Sequence, residues 1–111
     1  MKFAAPLLLL ALTGFGNASQ AADTGTGAIT ALGKINGIAL ACQQPAIVSR
    51  ARNAMQTTAP KTRANGEAFE SATNAAYLEQ GKGQPCPDAA TLAGQLGDAE
   101  KQLQAAFPAA Q

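Results

Sequence analysis

The sequence predicts an all-α protein: a small disulfide-stapled bundle of three to four helices. Three observations carry this expectation. Apolar residues recur at spacings of three and four along most of the chain, and no alternating strand pattern competes with them. Alanine is abundant while aromatics make up only 5%, a composition that favours helix and close helix approach but buries little area. The only two cysteines, Cys42 and Cys86, are placed to brace so thin a core.

The first residues read as an export signal. Met1-Lys2 is a short positive segment, Phe3 to Leu12 is apolar, and Ser19-Gln20-Ala21 has small residues at the −3 and −1 positions of a cleavage site. An apolar run of about ten residues is too short to cross a hydrocarbon core of roughly 30 Å. Residues 1–21 are therefore expected to be a cleaved signal peptide, and residues 22–111 a single helical domain beginning at Ala22. No later run has spanning length, so no membrane span is expected after cleavage. The expected location is periplasmic or secreted. An oxidising compartment makes Cys42–Cys86 a structural disulfide, closing a loop of about 45 residues worth roughly 4 kcal/mol of chain entropy. A redox pair would favour C-x-x-C proximity, and a zinc site would need more ligands than two distant thiols.

The elements follow in order. Residues 22–27, including Thr24-Gly25-Thr26-Gly27, have the composition of a flexible lead-in. From about Ala28, Leu32, Ile35, Ala39 and Cys42 recur at helical spacing, and Gly33 and Gly37 leave a smooth strip for another helix. Pro45 removes a backbone donor and either kinks this helix or starts a fresh one. The second stretch points Ile47, Ala51, Ala54 and Met55 inward and Arg50 and Arg52 outward, and ends before Pro60. A third helix is expected from about Thr62 to Glu79. Its inward arc would be Ala64, Ala68, Ala72, Ala75 and Leu78, broadened by Phe69 and Ala76. Its polar arc would be Arg63, Glu67, Glu70, Asn74 and Tyr77, with an i, i+4 pair between Arg63 and Glu67. Gly81-Lys82-Gly83-Gln84-Pro85 is a breaker loop. The last helix has Pro87 at its first position and Asp88 near its positive end. Ala89, Leu92, Leu96, Ala99, Leu103 and Ala106 form its apolar stripe. Phe107 closes that stripe, and residues 108–111 are expected to fray.

Composition excludes much chemistry. The chain has no histidine, so a Ser-His-Asp or Cys-His relay and an H-E-x-x-H zinc site are ruled out. Oxidation of both thiols removes the remaining good nucleophile, and no P-loop signature occurs. The expectation is a non-enzymatic protein without cofactors. Beyond residue 21 the acids and bases balance, which argues against a nucleic-acid partner. Their distribution is uneven. Lys34, Arg50, Arg52, Lys61 and Arg63 precede Gly66 with no acid after Asp23. Six acids and two lysines follow: Glu67, Glu70, Glu79, Asp88, Asp98 and Glu100 against Lys82 and Lys101. Such asymmetry suits either complementary packing of helices or a dipolar surface facing a charged partner.

Two binding readings follow. The first is a binding module, chaperone-like or accessory, whose partner is another exported protein; the chain itself would be a monomer or weak homodimer. Its size, export signal, helical composition and two cysteines 44 positions apart resemble the small periplasmic acid-stress chaperones. This is a likeness of layout that assigns no residues. It implies that acid protonates the carboxylates of the second half and loosens the bundle. The alternative is a carboxylate-based binder of a hard metal ion, calcium or a lanthanide. Glu67, Glu70 and Asn74 lie at i, i+3 and i+7 on one helix face, with Asp98 and Glu100 as further oxygen donors. Such ions take six or more oxygens, so a dimer interface or two facing helices would have to complete the shell.

Overall fold

Pro45 separates what the sequence left as one kinked helix or two. The structure, a computed structural model, describes residues 24–108; the expected signal segment and residues 109–111 lie outside them. Four helices follow in order: α1 over residues 24–41, α2 Pro45–Thr58, α3 Arg63–Gln80 and α4 Ala89–Ala106. At the end of α1 the Gln44 amide donates to the Ala39 carbonyl at 2.9 Å and the Gln43 amide to Leu40 at 3.3 Å. Gln43 has φ 57. These paired bonds, with a left-handed residue between them, close the helix. Pro45 then opens α2, where its missing amide proton leaves no helical bond unmade.

The core is built by α1, α2 and α4. Ile29, Leu32, Ile35 and Ala39 of α1 meet Ile47 and Ala51 of α2 and Leu92, Leu96 and Leu103 of α4, all buried. The expected stripes of these helices therefore hold, except that Ala89 is exposed and Cys42 lies half-buried in the turn just beyond α1. Backbones of α2 and α4 run close together, and the Arg50 guanidinium meets Glu100 at 2.7 Å on their outer side.

Three expectations change. Over residues 24–27 the chain is helical rather than a flexible lead-in. Gly25 is buried, and a Cβ placed on it would stand 3.0 Å from the Phe107 ring, so the end of α4 covers the first turn of α1. The start of α4 lies two residues later than expected. Asp88 is the N-cap, its carboxylate accepting the Thr91 amide at 2.7 Å, and Pro87 precedes it. The Asp88 carboxylate, by satisfying an orphan amide, sets the helix start after itself rather than at the proline one residue before it.

The third change is the face of α3. Ala64, Ala75 and Leu78 are exposed, Leu78 by 59%, whereas Phe69 and Thr73 are buried with Ala68, Ala72 and Ala76 half-buried beside them. The inward arc is thus rotated toward Phe69 and Thr73. The cause lies on α1. A Cβ on Gly33 would come within 2.7 Å of the Phe69 carbonyl and 2.8 Å of Ala72, and one on Gly37 would collide with the Thr73 carbonyl. Backbone seats on backbone along this glycine strip, which fixes which residues of α3 face inward. Within the seam Asn36 Nδ2 donates to Thr73 Oγ1 at 3.1 Å, and that hydroxyl donates to the Gly33 carbonyl at 3.2 Å.

Cys42 and Cys86 are bonded, with Cα atoms 5.8 Å apart across 44 positions. The bond pins the end of α1 to the segment that leads into α4. Gln44 Nε2 reinforces it by donating to the Pro87 carbonyl at 3.2 Å. Gly83 turns the preceding loop at φ 96, a backbone region that glycine enters without a Cβ penalty.

A candidate binding groove between the second and third helices

Because α2 lies against α4 and α3 against α1, the facing sides of α2 and α3 leave an open groove between them. It begins at the 59–62 connection and continues to the far end of α3. Three adjoining hollows make it up. Met55, Ala59, Pro60 and Lys61 line the one at the connection. The central one, about 560 Å³, has Met55 and Phe69 as its apolar floor, with Arg52, Arg63, Glu67 and Glu70 around it. Leu40, Thr73, Asn74 and Tyr77 line the far one, again with Arg52 and Glu70 at its edge. Shared residues make the hollows continuous: Met55, Gln56 and Gly66 belong to the first two, Arg52 and Glu70 to the last two.

The local sequence accounts for this lining. The N-cap of α3 is Thr62, whose hydroxyl accepts the Asn65 amide at 3.1 Å, so Arg63 begins the helix facing the groove. Glu67, Glu70, Asn74 and Tyr77 then follow along one side at helical spacing. From α2, Arg52, Met55 and Gln56 enter from the other side, on the arc next to the core residues Ala51 and Ala54. Leu40 and Tyr77 are two of the exposed large hydrophobic residues, 37% and 47% accessible. They supply apolar surface at the far end.

The charged side chains of the groove are free. Arg52, Lys61, Arg63, Glu67 and Glu70 make no ion pair among the described residues. The expected Arg63–Glu67 pair is accordingly not formed. Charge is also unevenly sided: Arg52 stands on the α2 wall, on the α3 wall Glu67 and Glu70 outnumber Arg63, and Lys61 stands at the connection.

The structure separates the residues singled out from the sequence. Cys42 and Cys86 meet as a covalent bracket. Glu67, Glu70 and Asn74 share the groove wall, all exposed. Asp98 and Glu100 lie on α4, and the Glu100 carboxylate is engaged by Arg50. Among the described residues, no three of the His, Cys, Asp and Glu side chains stand together as a metal site. The groove residues that sequence reading missed are Arg52, Met55 and Phe69. Arg52 faces outward, as its place on α2 predicts, and the rotation of α3 sets what it faces.

Fold and groove together define the class of molecule: an all-α, disulfide-bracketed four-helix bundle with an open amphipathic groove along one side. No family model, no curated protein and no solved structure matches the chain.

Proposed function

We propose that the protein is an exported, non-catalytic binding module that holds another exported protein in the α2–α3 groove. The observation that carries this reading is the run of accessible apolar side chains along the groove, half-buried Met55 and exposed Leu40 and Tyr77, beside charged groups that have no ion-pair partner among the described residues. Buried apolar surface supplies affinity, and charges at the rim select the partner and its register. The absence of histidine and the engagement of both cysteines in a disulfide are consistent with a role without chemistry. Of the two binding roles, a dedicated partner suits a preformed groove better than chaperoning, which needs apolar surface to be exposed on demand. The hard-cation reading draws no support from the groove, because Arg52 and Arg63 share the hollow of Glu67 and Glu70 and would repel a cation there.

The test uses a photo-crosslinking residue at Gln56, in the groove, and another at Gly94, on the exposed face of α4, in the exporting cell. A discrete adduct at Gln56 that is lost on Met55→Glu, with none at Gly94, supports the reading; equal labelling at both sites overturns it. Intact mass of the exported chain checks the accompanying expectation of a mature start at Ala22.

A further inference from the structure

The geometry points to an amphipathic α-helix of about four turns as the occupant of the α2–α3 groove, one whose acidic flank faces Arg52 and whose basic flank faces Glu67 and Glu70. This rests on the groove being the binding surface and adds what binds there. Length is the first argument. From Arg63 to Tyr77 the α3 wall runs about 21 Å, at about 1.5 Å per residue, which is the length of four helical turns.

Backbone chemistry is the second. Both walls are helices, whose amide and carbonyl groups are satisfied internally, so the groove offers no ladder of backbone partners. An extended peptide would leave its own backbone groups unpaired against the apolar floor; a helix satisfies them itself. Side chains at three- and four-residue spacing can then reach the successive apolar contacts at Met55 and at Leu40 with Tyr77.

Charge is the third argument and the specific one. The Arg52 guanidinium lines the central hollow from the α2 wall and Arg63, Glu67 and Glu70 line it from the α3 wall, so the walls carry opposite net charge, and none of the four has an ion-pair partner among the described residues. A helix carrying acids along one edge and bases along the other pairs with both walls at once. One with mixed charge on each edge meets repulsion on both.

The experiment measures binding of two synthetic 16-residue helical peptides of identical composition to the full oxidised protein by titration calorimetry. Both carry a leucine stripe. One has glutamates on one flank and lysines on the other, while the second alternates them on both flanks. The sided peptide is expected to bind about fivefold more tightly, the scale of a few exposed ion pairs. Arg52→Glu and Glu70→Lys should each abolish that preference. Their combination should restore it: with Arg63 and Glu67 unchanged, Glu70→Lys turns the net charge of the α3 wall positive as Arg52→Glu turns α2 negative, and a helix turned end for end exchanges its flanks and again matches both walls.

Equal binding of the two peptides, or no recovery in the double variant, overturns the inference. Binding of neither while the Gln56 adduct persists also overturns it and leaves the groove reading standing. Loss of the Gln56 adduct removes the groove reading itself. Sedimentation that shows a second copy of this chain closing the groove against both peptides overturns the inference as well.

Discussion

α3 and α4 have the same length, 18 residues each, yet they are attached to the molecule by different means. On α4, Leu92, Leu96 and Leu103 are wholly buried. Burial of each such side chain stabilises by roughly 1.5–3 kcal/mol. On α3 only Phe69 and Thr73 are buried and Leu78 faces outward. Its attachment depends on two glycines of α1 that let the backbones touch, and on a polar chain from Asn36 through Thr73 to Gly33. Asn36 Oδ1, buried in that seam, has no hydrogen-bond partner among the described residues, a burden of about 1–3 kcal/mol on the interface. Apolar area holds α4, and closeness of fit holds α3. The first mode tolerates imprecision and scales with side-chain size; the second is sensitive to a single methyl group and nearly indifferent to the rest of its own helix.

The largest expected effect tests whether α3 is the weaker attachment. Replacing both cysteines by serine should cost about 2–5 kcal/mol in denaturant unfolding. Under hydrogen exchange in that variant, α3 amides should lose protection before those of α4, because local opening starts where few apolar contacts resist it. Earlier loss in α4 would show that the glycine seam is the stronger contact and would invert the comparison.

Leucines then compare the two helices directly. Leu96→Ala should cost about 2–5 kcal/mol through lost burial and the cavity left behind. Leu78→Ala, with the same atoms removed from an exposed site, should stay within about 0.5 kcal/mol of the parent. Chemical denaturation of both variants reads the difference, and a large loss at Leu78 would mean that α3 buries its alanine–leucine arc after all.

Glycines supply the converse case. Gly37→Ala inserts a methyl where the Thr73 carbonyl and the Ala76 side chain already stand, and should cost roughly 1–3 kcal/mol from overpacking. Gly94→Ala adds the same methyl to α4 where nothing lies within 4 Å. It should stabilise by about 0.5–1 kcal/mol, the helix-propensity difference. Opposite signs for one substitution in two helices are the signature of the two modes of attachment; equal signs in thermal melts would remove it.

The same contrast explains what could be read in the sequence. Leu92, Leu96 and Leu103 announce the buried face of α4 because leucine is expensive to expose and its spacing admits one reading. Gly33 and Gly37 were recognisable as a strip for a second helix. Which residues of α3 would meet that strip was not recognisable, since Ala64, Ala68, Ala72, Ala75 and Ala76 make several arcs look alike and Leu78 favoured the wrong one. Thr73 and Asn36 are polar and belong to no apolar stripe, and their bond to each other is what makes them buriable. The groove inherits this uncertainty: Glu67, Glu70 and Asn74 were grouped correctly as one exposed face, but the opposing Arg52 follows only from how α3 is turned. The pairing of two lone cysteines, by contrast, depends on no packing detail.

The smallest expected effect separates the two helices at their starts. Each has a side-chain cap, Thr62 on α3 and Asp88 on α4, but only one of them titrates. The hydrogen bonds that Asp88 receives from Thr91, chiefly from its backbone amide, lower the pKa of the carboxyl below the ordinary aspartate value. A group whose folded pKa is depressed adds stability that is fully present above its unfolded pKa and is lost as pH falls through the folded value. Acid should therefore weaken the first turn of α4 through this cap, while the threonine cap of α3 keeps its bond at every pH. Asp88→Asn retains an oxygen acceptor for the Thr91 amide but cannot ionise. Thermal melts between about pH 2 and 6 should show a shallower acid decline for Asp88→Asn than for the parent, and an unchanged slope for Thr62→Ser. If Asp88→Asn leaves the slope as it was, the Asp88 cap does not carry the acid decline.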